Sequence, residues 1–136
     1  MIKGADSHIK RMVRLTSPAM VAEAGKAVYA AANMHAVDAA LSITKGAVSG
    51  RGHVASKPGE PPNADTHLLD RSIEAAKTGP LKAESSANAP YAVKLEKGSS
   101  KVSARPFMEP AAKRVRPMMT KLLQQAVDRV AKGGTL

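Results

Sequence analysis

The sequence predicts an α+β fold: a long N-terminal helix, a small antiparallel sheet with an extended loop, and a C-terminal amphipathic helix. Three observations predict it. A helix start at Ser17-Pro18 opens an apolar, Ala-rich run that continues to Gly46. A Gly/Pro-rich stretch over residues 48–65 breaks that run, and two short strand-like segments divided by Gly79-Pro80 follow it. From Pro106 to Ala131, apolar residues then recur at helical spacing on one arc.

Residues 1–17 are basic, with Ile9, Met12 and Val13 at helical spacing, and read as a short helix or a mobile arm. Residues 18–132 read as a single α+β domain. Ser17 suits the N-cap of the first long helix and Pro18 its N1 position, where the missing N–H costs nothing. Glu23 still lies near the positive end of the helix dipole. The helix should run to about Lys45 and stop at Gly46. Its apolar residues fall into two opposed groups at 100° per residue. Val21, Ala24, Val28, Ala32, Ala39 and Ile43 point one way, and Met34, Val37 and Leu41 nearly the other. A helix apolar on two sides is normally packed on two sides, and in a small domain the second side most simply meets another subunit.

The extended loop over 48–65 is of a length usually tied to function or to ordering on assembly. Gly50-Arg51-Gly52-His53 lies within it but lacks the spacing of a nucleotide loop. Thr66 to Ser72 reads as one helical turn, capped by Asp65 or Thr66, with Leu68, Leu69 and Ile73 pointing inward. Strands are placed around Ile73–Thr78 and Leu81–Asn88, and Ala89–Lys97 reads as a further short helical or extended piece ending at Gly98. In the last helix Phe107, Ala111, Val115, Met118, Met119, Leu122, Ala126 and Val130 share the apolar arc. Lys113, Lys121, Gln124, Asp128 and Lys132 take the other side. Pro110 is tolerable in the first turns, Pro117 should kink the helix, and Gly133-Gly134 ends it.

With 136 residues, one Phe, two Tyr and no Trp, the chain can bury little large apolar surface. Its stability is expected to be completed by neighbours, as in an obligate oligomer. There is no cysteine, hence no disulfide framework and no thiolate site. His8, His35, His53 and His67 show no metal-ligand spacing, and no nucleophile elbow surrounds any serine. Pairings such as Asp65 with Asp70, or Glu60 with His67, have no motif behind them. His67 reads as a satisfied turn histidine rather than a pH switch. No cofactor, metal or catalytic activity is expected. The longest apolar window, Val28 to Leu41, falls short of a bilayer span, and the N-terminus lacks a signal-peptide pattern, so folding in the cytoplasm is expected. A net charge of +10 suggests an acidic partner, nucleic acid first. The scarcity of aromatics argues against a base-stacking platform.

Three segments of the second half occur in a telling order. Ser56-Lys57-Pro58-Gly59-Glu60-Pro61-Pro62, followed by Asp65-Thr66-His67-Leu68-Leu69-Asp70-Arg71-Ser72-Ile73, comes first. Ala89-Pro90-Tyr91-Ala92-Val93-Lys94-Leu95-Glu96-Lys97-Gly98-Ser99 is second, and Ala104-Arg105-Pro106-Phe107-Met108-Glu109-Pro110-Ala111 third. In order and spacing they resemble the Hong Kong ninety-seven-type tail-component or neck proteins of tailed phages and prophages, also described as tail-completion proteins. The resemblance covers about residues 55 to 131. The chain departs from the family pattern at His67, where Gly is usual, and at Ser99, where Thr is. A side chain at position 67 implies a slightly different turn, although His tolerates positive φ comparatively well.

The resemblance implies a ring-forming subunit, hexameric by tail symmetry or else dodecameric to match the portal, that bridges neighbouring connector proteins and the tail tube in the virion. Pro58, Gly59, Pro61 and Pro62 would stiffen a docking loop. Thr66, Leu69, Ile73, Tyr91 and Gly98 would complete the structural or interface set. Pro106 would preset the last helix, Phe107 would anchor it in the core or between subunits, and Arg105 would pair with Glu96 to fix register. Lys113, Arg114, Arg116 and Lys121 are the residues expected to face packaged double-stranded DNA through phosphate charge. The alternative is a small basic architectural DNA-binding protein.

Overall fold

The computed structural model describes residues 4–44, 55–62 and 67–134. Among these, helix α1 (Ala5–Leu15) leads into the long helix α2 (Pro18–Thr44). A single turn, α3 (Leu68–Arg71), precedes strands β1 (Ile73–Gly79) and β2 (Lys82–Ala87). A short α4 (Ala92–Lys97) and the long α5 (Met108–Ala131) follow. The architecture is the expected mixed one, a long first helix, a two-stranded antiparallel sheet and a C-terminal helix. The stop at Lys45-Gly46, the stretches 48–54 and 63–65 of the loop, and the caps Asp65 and Thr66 lie outside the described residues.

Helix α2 is the centre of the molecule, with α5 packed on one side and the β1–β2 hairpin on the other. Small residues make both approaches close: Ala27, Ala31, Ala32, Ala36 and Ala39 are all buried. At Gly25 the backbone of the hairpin turn comes so near that an added Cβ would sit 2.4 Å from the Pro80 carbonyl oxygen. The strands pair from Ile73↔Ala87 to Lys77↔Ala83, and the register shifts before Gly79↔Lys82, next to the turn. Ala and Ser occupy six of the thirteen strand positions, so the alternation that marks a strand is faint in the sequence.

The best-packed cluster lies where the C-terminal half of α2 meets the second half of the chain. Ile43, Leu69, Ala89, Ala92 and Phe107 are buried together, with Ile73, Ala87, Leu95 and Met108 against them. The apolar arc foreseen for α5 holds at Ala111, Val115, Ala126 and Val130, which are buried, but Met118 is exposed. The helix ends as its glycines suggest: Gly133 has φ 83°, its N–H reaches the Val130 carbonyl and that of Gly134 the Arg129 carbonyl.

Several local expectations are corrected. Helix α5 begins at Met108 with Phe107 as N-cap, so Pro106 stands before the cap instead of at the first helical position. The Ser17 hydroxyl turns back to donate to the Arg14 carbonyl at 2.6 Å, closing α1 rather than capping α2. Glu23 is no surface dipole charge. Its side chain is 1 % exposed and accepts from Lys26 Nζ at 3.1 Å and Arg129 Nη2 at 3.5 Å, tying α2 to the end of α5. Val21 stays exposed although it belongs to the inward stripe of α2. In the opposite group Val37 and Leu41 are exposed as well, whereas Met34 is half-buried.

Candidate assembly site

The three motif segments form one hydrogen-bonded unit. Its first member is a turn at Lys57–Glu60, with the Glu60 N–H bonded to the Lys57 carbonyl at 3.0 Å. Pro58 and Gly59 are its central residues, and Gly59 has φ 86°. Pro at the second position and a positive-φ Gly at the third are what a type II turn requires. Glu60 folds back to accept the Lys57 N–H at 3.3 Å. It does not meet His67, the partner considered for it.

That turn docks on the third segment. The Gly59 N–H donates to the Ala104 carbonyl at 2.8 Å, and Arg105 Nε donates to the Ser56 carbonyl at 3.1 Å. The third segment is bonded in turn to the second, Arg105 N–H to the Leu95 carbonyl at 2.6 Å. Gly98 makes this approach possible. It has φ 77°, and a Cβ there would lie 2.9 Å from the Ala104 nitrogen.

Glu96 holds the unit together. Its Oε2 accepts the N–H groups of Phe107 at 2.8 Å and Met108 at 2.9 Å, and its Oε1 that of Glu109 at 2.9 Å. A helix starts with backbone donors that have no partner within it. The N-cap Phe107 offers no side-chain acceptor, and Pro110 has no N–H to offer. One carboxylate borrowed from α4 therefore takes every free amide of the first turn, where the helix dipole also favours negative charge. The expected Arg105–Glu96 ion pair does not form. The backbone carbonyl of Ser56 takes the guanidinium, and the α5 amides take the carboxylate.

The remaining candidate residues sort by exposure. Phe107 is fully buried, hence a core anchor and not a contact between subunits, and Leu69 is buried beside it. Ile73 is half-buried on the same cluster. Pro62 is buried, Pro61, Gly98 and Pro106 are half-buried, and Pro58, Gly59 and Tyr91 are exposed. Thr66 is outside the described residues. His67, the one non-glycine residue among those described with positive φ (61°), keeps the left-handed backbone a glycine would adopt. Its Nδ1 donates to Asp70 Oδ2 at 2.9 Å.

The four cations placed toward DNA are all exposed on α5. Two are engaged: Arg114 with Asp38 of α2 at 2.8 Å, and Lys113 with Glu109 at 3.4 Å. Arg116 and Lys121 make no ion pair among the described residues. There, too, no group of three or more His, Asp or Glu is arranged to hold a metal, and no helix is long and apolar enough to cross a membrane. His35, another residue without a motif, donates from Nε2 to the Met108 carbonyl at 2.8 Å, fastening α2 to the start of α5. Comparison with known protein families, curated proteins and solved structures found no match.

Proposed function

We propose that the chain is a structural subunit of a tailed-phage head–tail connector, a neck or tail-completion ring joining the portal-capped head to the tail tube. The observation that carries the reading is the convergence of the three motif segments on one unit. Residues whose order resembles the tail-component family touch one another through Gly59, Glu96, Gly98 and Arg105. The function is adhesive, not catalytic: the unit stiffens a loop and fixes the entry of α5, so that surfaces on both present a constant shape to neighbouring subunits. The ring is hexameric by preference and dodecameric otherwise, assembled in the host cytoplasm and retained in the virion. The DNA path is lined by Arg116 and Lys121, acting on phosphates without sequence readout.

Electron microscopy of the purified protein tests this directly. Closed rings are expected, and a monodisperse monomer at every concentration tried would overturn the proposal. Free architectural DNA binding predicts something else: tight, steeply salt-dependent gel shifts by monomer or dimer.

A further inference from the structure

Helix α1 is amphipathic the wrong way round for its own chain. Ile9, Met12 and Val13 lie at i, i+3 and i+4 on one face, yet they are 59 %, 48 % and 62 % exposed, and no residue of α1 is buried. What fastens α1 to the rest is its polar side: Arg14 Nη1 donates to the Ala131 carbonyl at 3.1 Å, and the guanidinium lies against Gly133 at the end of α5. Eleven residues are too few for a helix to persist in water without packing. The apolar face thus points outward and has no partner among the described residues.

The molecule also holds an unfilled receptor of the matching kind. Between the hairpin and α5, α2 forms the floor of an open groove of about 330 Å³. Val28 and Ala32 line the floor, Ala83 and Ser85 of β2 one wall, and Met119 and Leu123 of α5 the other. His35 also lines the groove and Ser85 gives one wall a hydroxyl, but the lining is mainly apolar, which suits an amphipathic helix laid in it and read through i, i+3 and i+4 anchors. The chain's own α1 is not the occupant. Two residues, Thr16 and Ser17, separate it from α2, Arg14 ties it to the far end of α5, and Val28 stands about 15 Å further along α2 at 1.5 Å per residue.

We infer that α1 of one copy docks in the groove between β2 and α5 of the next. Donor face and receptor groove are different surfaces of one chain, so the contact is heterologous: each copy gives α1 and receives α1. Repetition of such a contact closes a ring when the rotation permits. The inference rests on the ring-subunit reading and assigns the interface that reading needs. The inward stripe of α2 gains a partner as well, because Val28 is then covered by the neighbour.

The test uses the full chain, which has no native cysteine. Sedimentation velocity over a concentration series is run on the parent, on Val13→Asp and on Leu123→Asp, with circular dichroism to confirm that each variant is folded. Separately, Val13→Cys and Leu123→Cys variants are mixed and treated with a short bis-maleimide, with Lys101→Cys as control. The expected result is an assembling parent, at least a tenfold weaker assembly of both Asp variants, and a Val13–Leu123 cross-link between copies. A parent that assembles with both Asp variants unaffected and no cross-link overturns this interface and leaves the ring reading standing. A parent that stays monomeric overturns both. Binding of the monomeric parent to anionic vesicles, lost in Val13→Asp, assigns the face to a lipid surface instead and likewise overturns the inference.

Discussion

Replacing Glu96 probes the motif unit at its most connected point. Glu96→Ala removes the acceptor of three amides, at 2.8, 2.9 and 2.9 Å, from a helix start that has no side-chain cap of its own. A hydrogen bond to a charged group contributes about 1.5–3 kcal/mol, a lost cap costs roughly 1 kcal/mol, and a carboxylate at a partly buried helix N-terminus adds up to about 2 kcal/mol. These contributions overlap, because all describe the same charge. Glu109 is also exposed, so water can reach one freed amide. The expected loss is therefore about 3 kcal/mol for Glu96→Ala. Glu96→Gln keeps one oxygen, loses the charge and turns an NH2 group toward donors, for a loss of about 1.5 kcal/mol. For a chain of this size each kcal/mol lowers Tm by roughly 3–5 °C. Thermal and urea unfolding, measured at several protein concentrations because association shifts apparent stability, would show Gln between parent and Ala. Two variants within about 0.5 kcal/mol of the parent, the ordinary range for a surface substitution, would refute the claim that Glu96 caps α5.

Arg105→Ala should cost about 1.5–3 kcal/mol, the loss of a part-buried hydrogen bond from a charged guanidinium to the Ser56 carbonyl. In a double-mutant cycle with Glu96→Ala its coupling should fall below the roughly 0.5–3 kcal/mol of directly interacting pairs, since the two side chains have different partners. Gly25→Ala should destabilise by about 1–3 kcal/mol despite the helix propensity of Ala, because its Cβ meets the Pro80 carbonyl oxygen at 2.4 Å; an unchanged urea midpoint would contradict that close approach. Pro117→Ala, at an exposed position inside α5, should raise stability by up to about 3 kcal/mol through the restored backbone bond and the relieved clash with the preceding turn, read as a higher Tm. Glu23→Ala leaves Arg129 half-buried without its carboxylate and should cost about 3 kcal/mol, whereas a surface dipole charge would cost under 1 kcal/mol.

Punctuation residues explain what was legible in the sequence. Ser17-Pro18, Gly79-Pro80, Gly98 and Gly133-Gly134 mark ends and turns, because their backbone requirements are local and leave a trace in the residue type. The long helices, the hairpin turn and the single turn α3 are therefore found nearly where expected, and α4 takes the helical one of the two forms left open for Ala89–Lys97. What the sequence hid depends on partners elsewhere in the chain. Glu23 carries the same letter whether it faces water or Arg129, 106 positions away. Glu96 and Arg105 are natural ion-pair partners by charge, and only the geometry reveals that eleven residues of chain bring the carboxylate onto backbone amides first. The stripe of α2 is legible as a direction, but periodicity does not say how fully each position is covered, and Val21 stays 42 % exposed.

The separation in sequence between α2 and its two partners sets an order of events for folding. The hairpin closes over a single turn at Gly79-Pro80, and the Glu96 clamp spans only eleven to thirteen residues. The contacts that seat α5 on α2, His35 to Met108 and Glu23 to Arg129, close loops of 73 and 106 residues. Long loops carry the larger closure entropy, and contacts of that span slow the approach to the native state. The hairpin and the clamp are therefore expected to form before the helix pair. Substitutions along the α2–α5 seam should accordingly act on the unfolding limb of a chevron plot, and those at Glu96 on the refolding limb.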